Sequence, residues 1–513
     1  MKNRSLWMSA VAALVAAFAL AGCGSTTYFA GRTLPPSGIS NRVLVAIQNP
    51  SSLSKGALQI MDAYYDTRYE YSNTSKTFTI SGYSGGLPSS IQNLPEQEMG
   101  VVYGSSDGSL YKINYAKETS SGTVSGLSGL YPSVYMTRNG NYVFGASQAN
   151  HVLTVVDNTG SSTASYSLSL PGIYRVSVNT GGSVALAFVQ NSNYVYYPRK
   201  LSSAEILAYA GGSSKWPKSA VDCEPVNSPA WCLFQMQSPD NVDPNSLSVL
   251  NGSLTNPNTS YPTMYYGEPL TFDRPTKAVF SNDGGTAYIL SCGPECGGTA
   301  SSISAVAIAP LIYLTGQSSG KLPTTSELSA ATLAIQGGAS NALVNSTTMY
   351  VVGQQKMSDG YWGGQLTVVA LPSSGTTFKS DALKSQTAIS DGLPGYSSRM
   401  ILADDDTLWI AMQKCNQGER ANNPSTYGTD YGCLTMFNTS SNSVTAIEPY
   451  LGDATGIAAV TTLHKVYAAI GGQVYIYSTT TGNAIDNQYV TVTGTAYDVA
   501  YMDATDDSNN TVY

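Results

Sequence analysis

Short apolar runs separated by polar turns recur along most of the chain. The clearest unit has an apolar run at 133–136, a turn at 138–141 that reads Arg-Asn-Gly-Asn, and a second run at 142–147. Two further units repeat this plan around turns at 179–182 and 282–285, which read Asn-Thr-Gly-Gly and Asn-Asp-Gly-Gly. Asn-Gly and Asp-Gly between apolar runs are strong short-range signals of β-hairpins. The pattern therefore predicts antiparallel strands joined by tight turns.

The second strand of each predicted unit begins at a recurring interval. These strands start at Val43, Val101, Tyr142, Val184, Ala287, Met349, Leu408 and Val466. The shortest intervals are about 40 residues, as in propellers of four-stranded blades, and the longer ones hold loop insertions. The count predicts an all-β, eight-bladed β-propeller, and one misassigned strand would make it seven-bladed. No amphipathic helical stretch of useful length is present, which argues against βαβ units.

The two ends of the chain are predicted to complete one blade together. Residues 42–47 have the pattern of a second strand, whereas 496–501 have that of a first strand whose blade has barely begun. Joining them would close the ring and remove exposed sheet edges. We therefore predict one propeller domain over 41–513, with an insertion at about 203–270 where the interval is longest.

Two stretches resemble a known type of propeller repeat. Residues 147–157 read SQANHVLTVVD and are similar to the strand-turn-strand of YVTN repeats. Residues 280–290 read FSNDGGTAYIL and resemble the turn of the same families, with Asn282 where those families carry proline. The families include lactonase-like propellers and bacterial surface lipoproteins. The resemblance implies the fold and specifies blade turns rather than an active site.

The N-terminus has the pattern of an export signal. Lys2 and Arg4 precede an apolar core that is too short for a membrane span, and residues 1–22 therefore suit a removable signal peptide. The segment ends in Leu-Ala-Gly-Cys, which resembles the lipobox of bacterial lipoproteins. That resemblance implies acylation of Cys23, a flexible tether over 23–40 and attachment to the membrane. By resemblance to enteric lipoproteins, Gly24 rather than Asp after the cysteine implies the outer membrane, at its periplasmic face or the cell surface, rather than the inner membrane. An ordinary signal peptide with a chance cysteine is the alternative.

The remaining six cysteines fit an oxidising compartment. They fall into three locally plausible pairs, Cys223 with Cys232, Cys292 with Cys296, and Cys415 with Cys433. Disulfides are the default in the cell envelope. The alternative is a metal site, but the sequence has no Cys-x-x-Cys and neither histidine lies near a cysteine.

Composition removes two classes of function. The chain of 513 residues carries a net charge of −8, and only 11% of its residues are charged. An acidic, charge-poor chain has no electrostatic footprint for nucleic acid. Its 42% hydrophobic and 10% aromatic content also argues against disorder.

No catalytic constellation is evident. His151 and His464 lie beside predicted turns, where a polar blade-edge role is the simplest interpretation. The motif at 104–108 matches Gly-x-Ser-x-Gly, but no helix follows it, so we predict a hairpin rather than a nucleophile elbow. We therefore predict no catalytic residue, no metal ligand and no cofactor. Acidic clusters at 240–245, 404–406 and 503–507 leave calcium as an open alternative, although none has the spacing of an EF-hand loop.

Propellers usually bind ligands at the axis, where the first strands and the preceding loops converge. Placing the sequence on this plan brings tyrosines to one rim, Tyr131 among them, and cations to the channel. The candidate ligand-binding residues are Tyr174, Arg175, Arg274, Lys277, Tyr396, Arg399 and Tyr497. Cations could meet an anionic substrate or a glycan carboxylate, and tyrosines suit sugar stacking or protein contacts. The alternative is that the cations pair with local acids and fill the bore.

These observations favour a lipid-anchored envelope propeller that acts as a binding or protein-interaction scaffold, with an envelope protein or a glycan as partner. The alternative is a propeller hydrolase of lactonase-like type, with or without a divalent metal. This alternative rests on the resemblance alone, and a shared fold does not imply a shared function. A quinone- or haem-dependent enzyme is a third option, disfavoured by the absence of a Cys-x-x-Cys-His site and by only 2 histidines.

Overall fold

The computed structural model describes most of the chain from residue 35 to residue 505. The described ranges are 35–51, 55–65, 78–127, 129–201, 203–216, 220–236, 269–308, 330–358, 360–392, 399–415, 433–448, 452–485, 489–490 and 492–505. The predicted signal peptide, Cys23, Tyr396 and the acidic cluster at 240–245 lie outside these ranges.

Thirty-two strands in the described ranges form eight antiparallel sheets, which we number as blades 1 to 8. Blade 1 consists of β1 (Arg42–Gln48), β2 (Gly56–Asp62), β3 (Phe78–Thr79) and the last strand, β32 (Thr495–Tyr501). Blade 2 consists of β4 (Pro88–Leu94), β5 (Met99–Gly104), β6 (Leu110–Asn114) and β7 (Thr119–Thr123). Blade 3 consists of β8 (Ser133–Met136), β9 (Tyr142–Ser147), β10 (Val152–Asp157) and β11 (Ala164–Ser169).

Blade 4 has five strands rather than the four predicted. It consists of β12 (Ile173–Val178), β13 (Ala185–Val189), β14 (Val195–Lys200), β15 (Ala220–Glu224) and β16 (Trp231–Gln235). The chain leaves β14, forms the short helix α1 (Ser203–Tyr209), and then β15, which pairs outside β16 as a fifth strand. The described part of the predicted insertion therefore extends the outer edge of this blade.

Blades 5 to 8 complete the sheet count. Blade 5 consists of β17 (Pro275–Phe280), β18 (Thr286–Ser291), β19 (Ser302–Ala307) and β20 (Ala330–Ala334). Blade 6 consists of β21 (Asn341–Asn345), β22 (Thr348–Lys356), β23 (Trp362–Ala370) and β24 (Leu383–Ile389). Blade 7 consists of β25 (Arg399–Leu402), β26 (Thr407–Ala411), β27 (Leu434–Asn438) and β28 (Ser443–Glu448). Blade 8 consists of β29 (Ala454–Val460), β30 (Lys465–Ile470) and β31 (Gln473–Ser478).

The first strands of successive sheets pack beside one another, so the eight sheets form a closed ring and the predicted eight-bladed propeller is confirmed. All eight predicted second strands are present, each starting within two residues of its predicted position. Four 3₁₀ turns (95–97, 213–215, 293–296 and 461–463) and α1 are the helical segments of the described ranges. None of the helices in those ranges is long and apolar enough to cross a bilayer.

The core lies between the blades. Because neighbouring sheets face each other, alternate strand residues pack across each interface into apolar clusters. Trp231 of blade 4 is fully buried and meets Tyr142 and Phe144 of blade 3 edge to face. Such aromatic contacts stabilise the interface beyond the area they bury.

Both chain ends close the ring, as predicted. β1 pairs with β32 along its whole length, so the C-terminal strand is the innermost strand of a blade whose other strands come from the N-terminus. A buried ionic cluster joins the same parts. The Arg42 guanidinium bridges Asp503 at 2.5 Å and Glu118 at 3.0 Å, and it donates to the Tyr115 carbonyl at 2.6 Å. We call Arg42, Asp503 and Glu118 the closing cluster.

Candidate functional site

One level of the central channel can be identified from strand register. In blades 1, 2, 4, 5 and 8 the first strand carries a bulge, and one residue follows it directly. In blades 3 to 7 the turn between the first and second strands contains a residue with left-handed backbone conformation. The residue six positions after it, on the second strand, pairs with one residue of the first strand. Both criteria agree in blades 4 and 5, so they mark one level. From blade 1 to blade 8 its residues are Asp498, Ser90, Ser133, Arg175, Lys277, Asn341, Arg399 and Gly456. We call these eight residues the axial layer.

Arg399 of the axial layer forms an ion pair with Asp498, and both side chains are buried. The Asp498 carboxylate also accepts hydrogen bonds from the main-chain N–H groups of Ile91 and Val499, both at 2.7 Å. Gly456 of blade 8 lies against this ion pair. A Cβ at this position would be 2.4 Å from Oδ1 of Asp498, so a larger residue would displace the carboxylate. Burial raises the pKa of Asp498, although Arg399 and the two N–H groups oppose this shift. The pair spans blade 8 and ties blade 7 to blade 1.

Lys277 lies between the two arginines of the axial layer in the order of the blades. Its Nζ donates to Oδ1 of Asn341 at 2.8 Å. Burial, together with the positive charges of Arg175 and Arg399, lowers the pKa of Lys277 to about 7. The Lys277 side chain is half-buried.

Arg175 is held by main-chain carbonyls. Its Nη1 lies 3.4 Å from the carbonyl oxygen of Thr276 and 3.5 Å from that of Ser340, on blades 5 and 6. Its guanidinium also lies 5.6 Å from the ring centre of Tyr174. Burial lowers the pKa of Arg175.

Two cavities meet at this pair of residues. The larger, which we call the axial cavity, has a volume of about 830 Å³ and is lined chiefly by blades 2, 3 and 4, with Gln413 and Tyr497. The smaller, which we call the side cavity, has about 200 Å³ and lies where blades 4, 5 and 6 meet. Tyr174 and Arg175 line both cavities and therefore form a shared wall.

The predicted ligand-binding residues separate into three groups. Tyr174, Arg175 and Tyr497 line the axial cavity, as does Tyr131. Arg274 lines the side cavity rather than the rim of the axial cavity. Lys277 and Arg399 belong to the axial layer, and Tyr396 lies outside the described residues.

Sequence reasoning missed Asp498 and Asn341, the layer residues that contact the two predicted cations Arg399 and Lys277. Asp498 in blade 1 and Asn341 in blade 6 occupy the same register position that the two cations occupy in blades 7 and 5. An alignment of all eight first strands on their turns could therefore have found them.

The three predicted disulfides are present. They join Cys223 to Cys232, Cys292 to Cys296, and Cys415 to Cys433. The first links β15 to β16, where the two cysteines lie opposite each other. The disulfides indicate a location outside the cytoplasm.

The other motifs form turns. The Gly104–Gly108 motif is the hairpin between β5 and β6, and Asp404–Asp406 lies in the hairpin between β25 and β26. Nδ1 of His464 lies 2.5 Å from Asp404 and 3.0 Å from Asp405. Hydrogen bonds from Thr479 and Thr480 lower the pKa of Asp405, whereas burial raises that of Asp404.

In the part of the chain that the structure describes, this is the one group of three metal-ligand side chains whose ligand atoms lie within 4.8 Å of one another. The group lies on the turns of blades 7 and 8, away from both cavities.

No family model matches the chain, and no curated protein matches it. Solved structures with similar folds include the dihydro-heme d1 dehydrogenase NirN, at 10% identity over 91% of this chain and 79% of that chain, with a TM-score of 0.45. Hydrazine synthase of Kuenenia stuttgartiensis matches at 11% identity over 80% of this chain and 100% of that chain, with a TM-score of 0.42. The periplasmic gluconolactonase PpgL of Pseudomonas aeruginosa matches at 13% identity over 90% of this chain and 98% of that chain, with a TM-score of 0.38. At these identities and TM-scores the similarities carry no conclusion about this chain, whose fold is defined by its own sheet topology.

Proposed function

We propose that this protein is a lipid-anchored propeller of the cell envelope that binds a small anionic ligand, such as a glycan with a carboxylate, at its axis. The observation that carries this proposal is the charge of the axial layer. It contains three cations, Arg175, Lys277 and Arg399, against one carboxylate, Asp498. The protein as a whole is acidic, so a cationic interior is a local feature of the channel.

Like charges held close together in a channel favour an anion between them. Asp498 compensates Arg399 through a direct ion pair, whereas Lys277 donates to the neutral amide oxygen of Asn341. A charge-assisted hydrogen bond is roughly twice as strong as a neutral one, and it strengthens further in a low-dielectric site. A bound carboxylate would also keep Lys277 protonated, because a negative neighbour raises the pKa of an amine.

The walls of the axial cavity suit a sugar ring. Tyr174 and Tyr497 offer flat faces with polar tips, and Ser90 offers a hydroxyl nearby. A volume of about 830 Å³ lies in the usual range for small-molecule sites. The combination favours a ligand with a ring and an acidic group over a purely apolar one.

Calorimetric titration of the mature protein with Cys23 replaced tests the binding proposal. Di- and trisaccharides that contain glucuronate should bind, and their neutral glucose counterparts should bind at least tenfold more weakly. Arg175→Gln should abolish this preference, whereas Arg138→Gln, in the turn between β8 and β9, should preserve it. Equal binding of acidic and neutral sugars by the wild-type protein would refute the proposal, and turnover of the sugar would favour the hydrolase alternative.

The anchor is tested separately by growth with radiolabelled palmitate. The wild-type protein should carry the label and sediment with membranes. The Cys23→Ser variant should carry no label and appear in the soluble envelope fraction. A labelled Cys23→Ser variant, or an unlabelled wild-type protein, would contradict acylation at Cys23.

A further inference from the structure

We propose that Asp404, Asp405 and His464 form a binding site for a divalent transition-metal ion of the zinc type, which joins blade 7 to blade 8. Asp404 and Asp405 lie in the hairpin between β25 and β26 of blade 7, whereas His464 directly precedes β30 of blade 8. These residues line neither cavity, so the inference is independent of the ligand proposed for the axis.

The three side chains bring ligand atoms together from two blades. Nδ1 of His464 lies 2.5 Å from Oδ2 of Asp404 and 3.0 Å from Oδ2 of Asp405. Zinc binds imidazole nitrogen and carboxylate oxygen at about 2.0–2.2 Å, which places tetrahedral ligand atoms roughly 3.3–3.6 Å apart. Binding would therefore require the imidazole to move outwards by about 1 Å. The His464 side chain is 60% exposed, so the surrounding structure permits this movement.

The group carries more negative than positive charge. Two adjacent carboxylates face a single imidazole, so a negative charge remains even when the imidazole is protonated. Among the described residues, no lysine or arginine forms an ion pair with either carboxylate. A divalent cation would neutralise the charge that the histidine leaves uncompensated.

Asp404 has the surroundings that most directly indicate a ligand. Both of its oxygens are screened from solvent, and neither accepts a hydrogen bond of ordinary geometry. The side chains of Thr479 and His464 are the neighbours that favour its charged form. A carboxylate withheld from water is costly unless it is paired or coordinates a metal. The histidine supplies part of this compensation, and a metal ion would supply the rest.

Asp405 is held in position by hydrogen bonds. Its Oδ2 accepts from the hydroxyl groups of Thr479 and Thr480, both at 2.9 Å. Carboxylates that bind metals are commonly oriented by hydrogen bonds of this kind. The next acidic residue of the turn, Asp406, faces another partner, because its Oδ2 accepts from the Ser440 hydroxyl at 2.6 Å. Asp406 is therefore not part of the proposed site.

The mixture of ligands distinguishes the ion. Calcium takes about 6–8 oxygen ligands, and the acidic turn considered alone is compatible with it. The structure adds an imidazole from another blade, and imidazole nitrogen suits zinc, copper, nickel and iron rather than calcium. Two carboxylates and one imidazole would also leave a tetrahedral zinc ion one position for water.

Calorimetric titration of the metal-free mature protein, with Cys23 replaced, tests the site with zinc chloride and calcium chloride as separate probes. One zinc ion should bind per chain, and calcium should bind at least tenfold more weakly. At free zinc of about 100 times its Kd, linkage predicts that the melting temperature rises by about 2–3 °C. Scanning calorimetry measures this rise.

Two variants and two matched controls locate the ion. His464→Gln and Asp405→Asn should each weaken zinc binding at least tenfold and remove the rise in melting temperature. His151→Gln is the control for the first, since His151 also lies in a turn with a left-handed backbone, at φ +58°. Asp406→Asn is the control for the second, because the φ values of Asp405 and Asp406 are +55° and +54°. Both controls should bind zinc as the wild-type protein does, and melting temperatures in EDTA confirm that each variant is folded.

The other outcomes overturn the proposal. If the wild-type protein binds no zinc, the site is refuted, and a lower melting temperature of His464→Gln in EDTA would then assign the histidine to an ion pair with the two carboxylates. Zinc binding that survives in both His464→Gln and Asp405→Asn would locate the ion elsewhere. Tighter binding of calcium than of zinc would overturn the assignment to a transition metal.

Discussion

Replacing Arg42 by methionine should destabilise the propeller at the point where its ring closes. The side chain is 5% exposed and lies between two carboxylates, Asp503 and Glu118, whose side chains are 3% and 6% exposed. Methionine would preserve most of the buried apolar stem but leave two acidic groups without their shared cation. Removing one partner of a buried ion pair typically costs about 3–5 kcal/mol, because the remaining charge stays buried.

This free energy can be converted into a melting temperature. At about 2.1 cal/mol/K per residue, a chain of this length has an unfolding entropy of about 1 kcal/mol/K, so the melting temperature should fall by about 3–5 °C. Scanning calorimetry at a fixed scan rate measures the shift. Lys384→Met is the matched control, since its ion pair with Asp381 is exposed and contributes less than about 1 kcal/mol.

A second variant separates buried charge from lost packing. Arg42→Met combined with Asp503→Leu removes the cation together with one of its carboxylates, and it should recover part of the loss. If Arg42→Met shifts the melting temperature no more than Lys384→Met does, the closing cluster does not hold the ring together. If the double variant is less stable than Arg42→Met by the full cost of Asp503→Leu, buried charge is not the cause.

Three further outcomes follow from the geometry. The pKa of Lys277 is about 7 in the folded protein and 10.5 in an unfolded chain. Between these values the unfolded chain binds more protons, so stability should rise with pH across this window. Lys277→Met should therefore have a higher melting temperature than the wild-type protein at pH 7, and a difference that does not shrink towards pH 10 would contradict the assignment. Gly456→Ala should destabilise the folded protein by about 1–3 kcal/mol because its methyl group displaces Asp498. Calorimetry measures this, and an unchanged melting temperature would mean that the ion pair between Asp498 and Arg399 does not stabilise the ring. The mature protein with Cys23 replaced should have a mass roughly 6 Da below that of its reduced form, and free thiols in the native protein would contradict the three disulfides.

The repeating strands could be predicted because the information is local. Alternating apolar residues and Asn-Gly or Asp-Gly turns fix a hairpin within a few residues, and the recurring interval between second strands implies the ring. Pairing between the two chain ends was also predictable, since 496–501 lacked a partner strand nearby. The fifth strand of blade 4 was not predicted, because β15 follows a loop and a helix with no hairpin signal.

The chemistry of the channel was only partly predictable for the opposite reason. Arg399 and Asp498 are 99 residues apart, and their contact depends on how first strands align around the axis. Arg274 and Lys277 are three residues apart but line different regions, because Arg274 precedes β17 in a left-handed conformation whereas Lys277 lies within the strand after its bulge. The closing cluster likewise joins residues from both ends and from blade 2, which no local pattern connects.

The order in which the chain is made gives the last strand a particular importance. β32 is the innermost strand of blade 1, yet it is the last element in the described chain to emerge during synthesis or export. Until it arrives, Arg399 lacks its carboxylate, Arg42 lacks Asp503, and Tyr497 is missing from the axial cavity. A chain truncated before residue 495 would therefore lack the inner strand of blade 1 and the carboxylates of Asp498 and Asp503. Closure of the ring and completion of the axial cavity are consequently a single event.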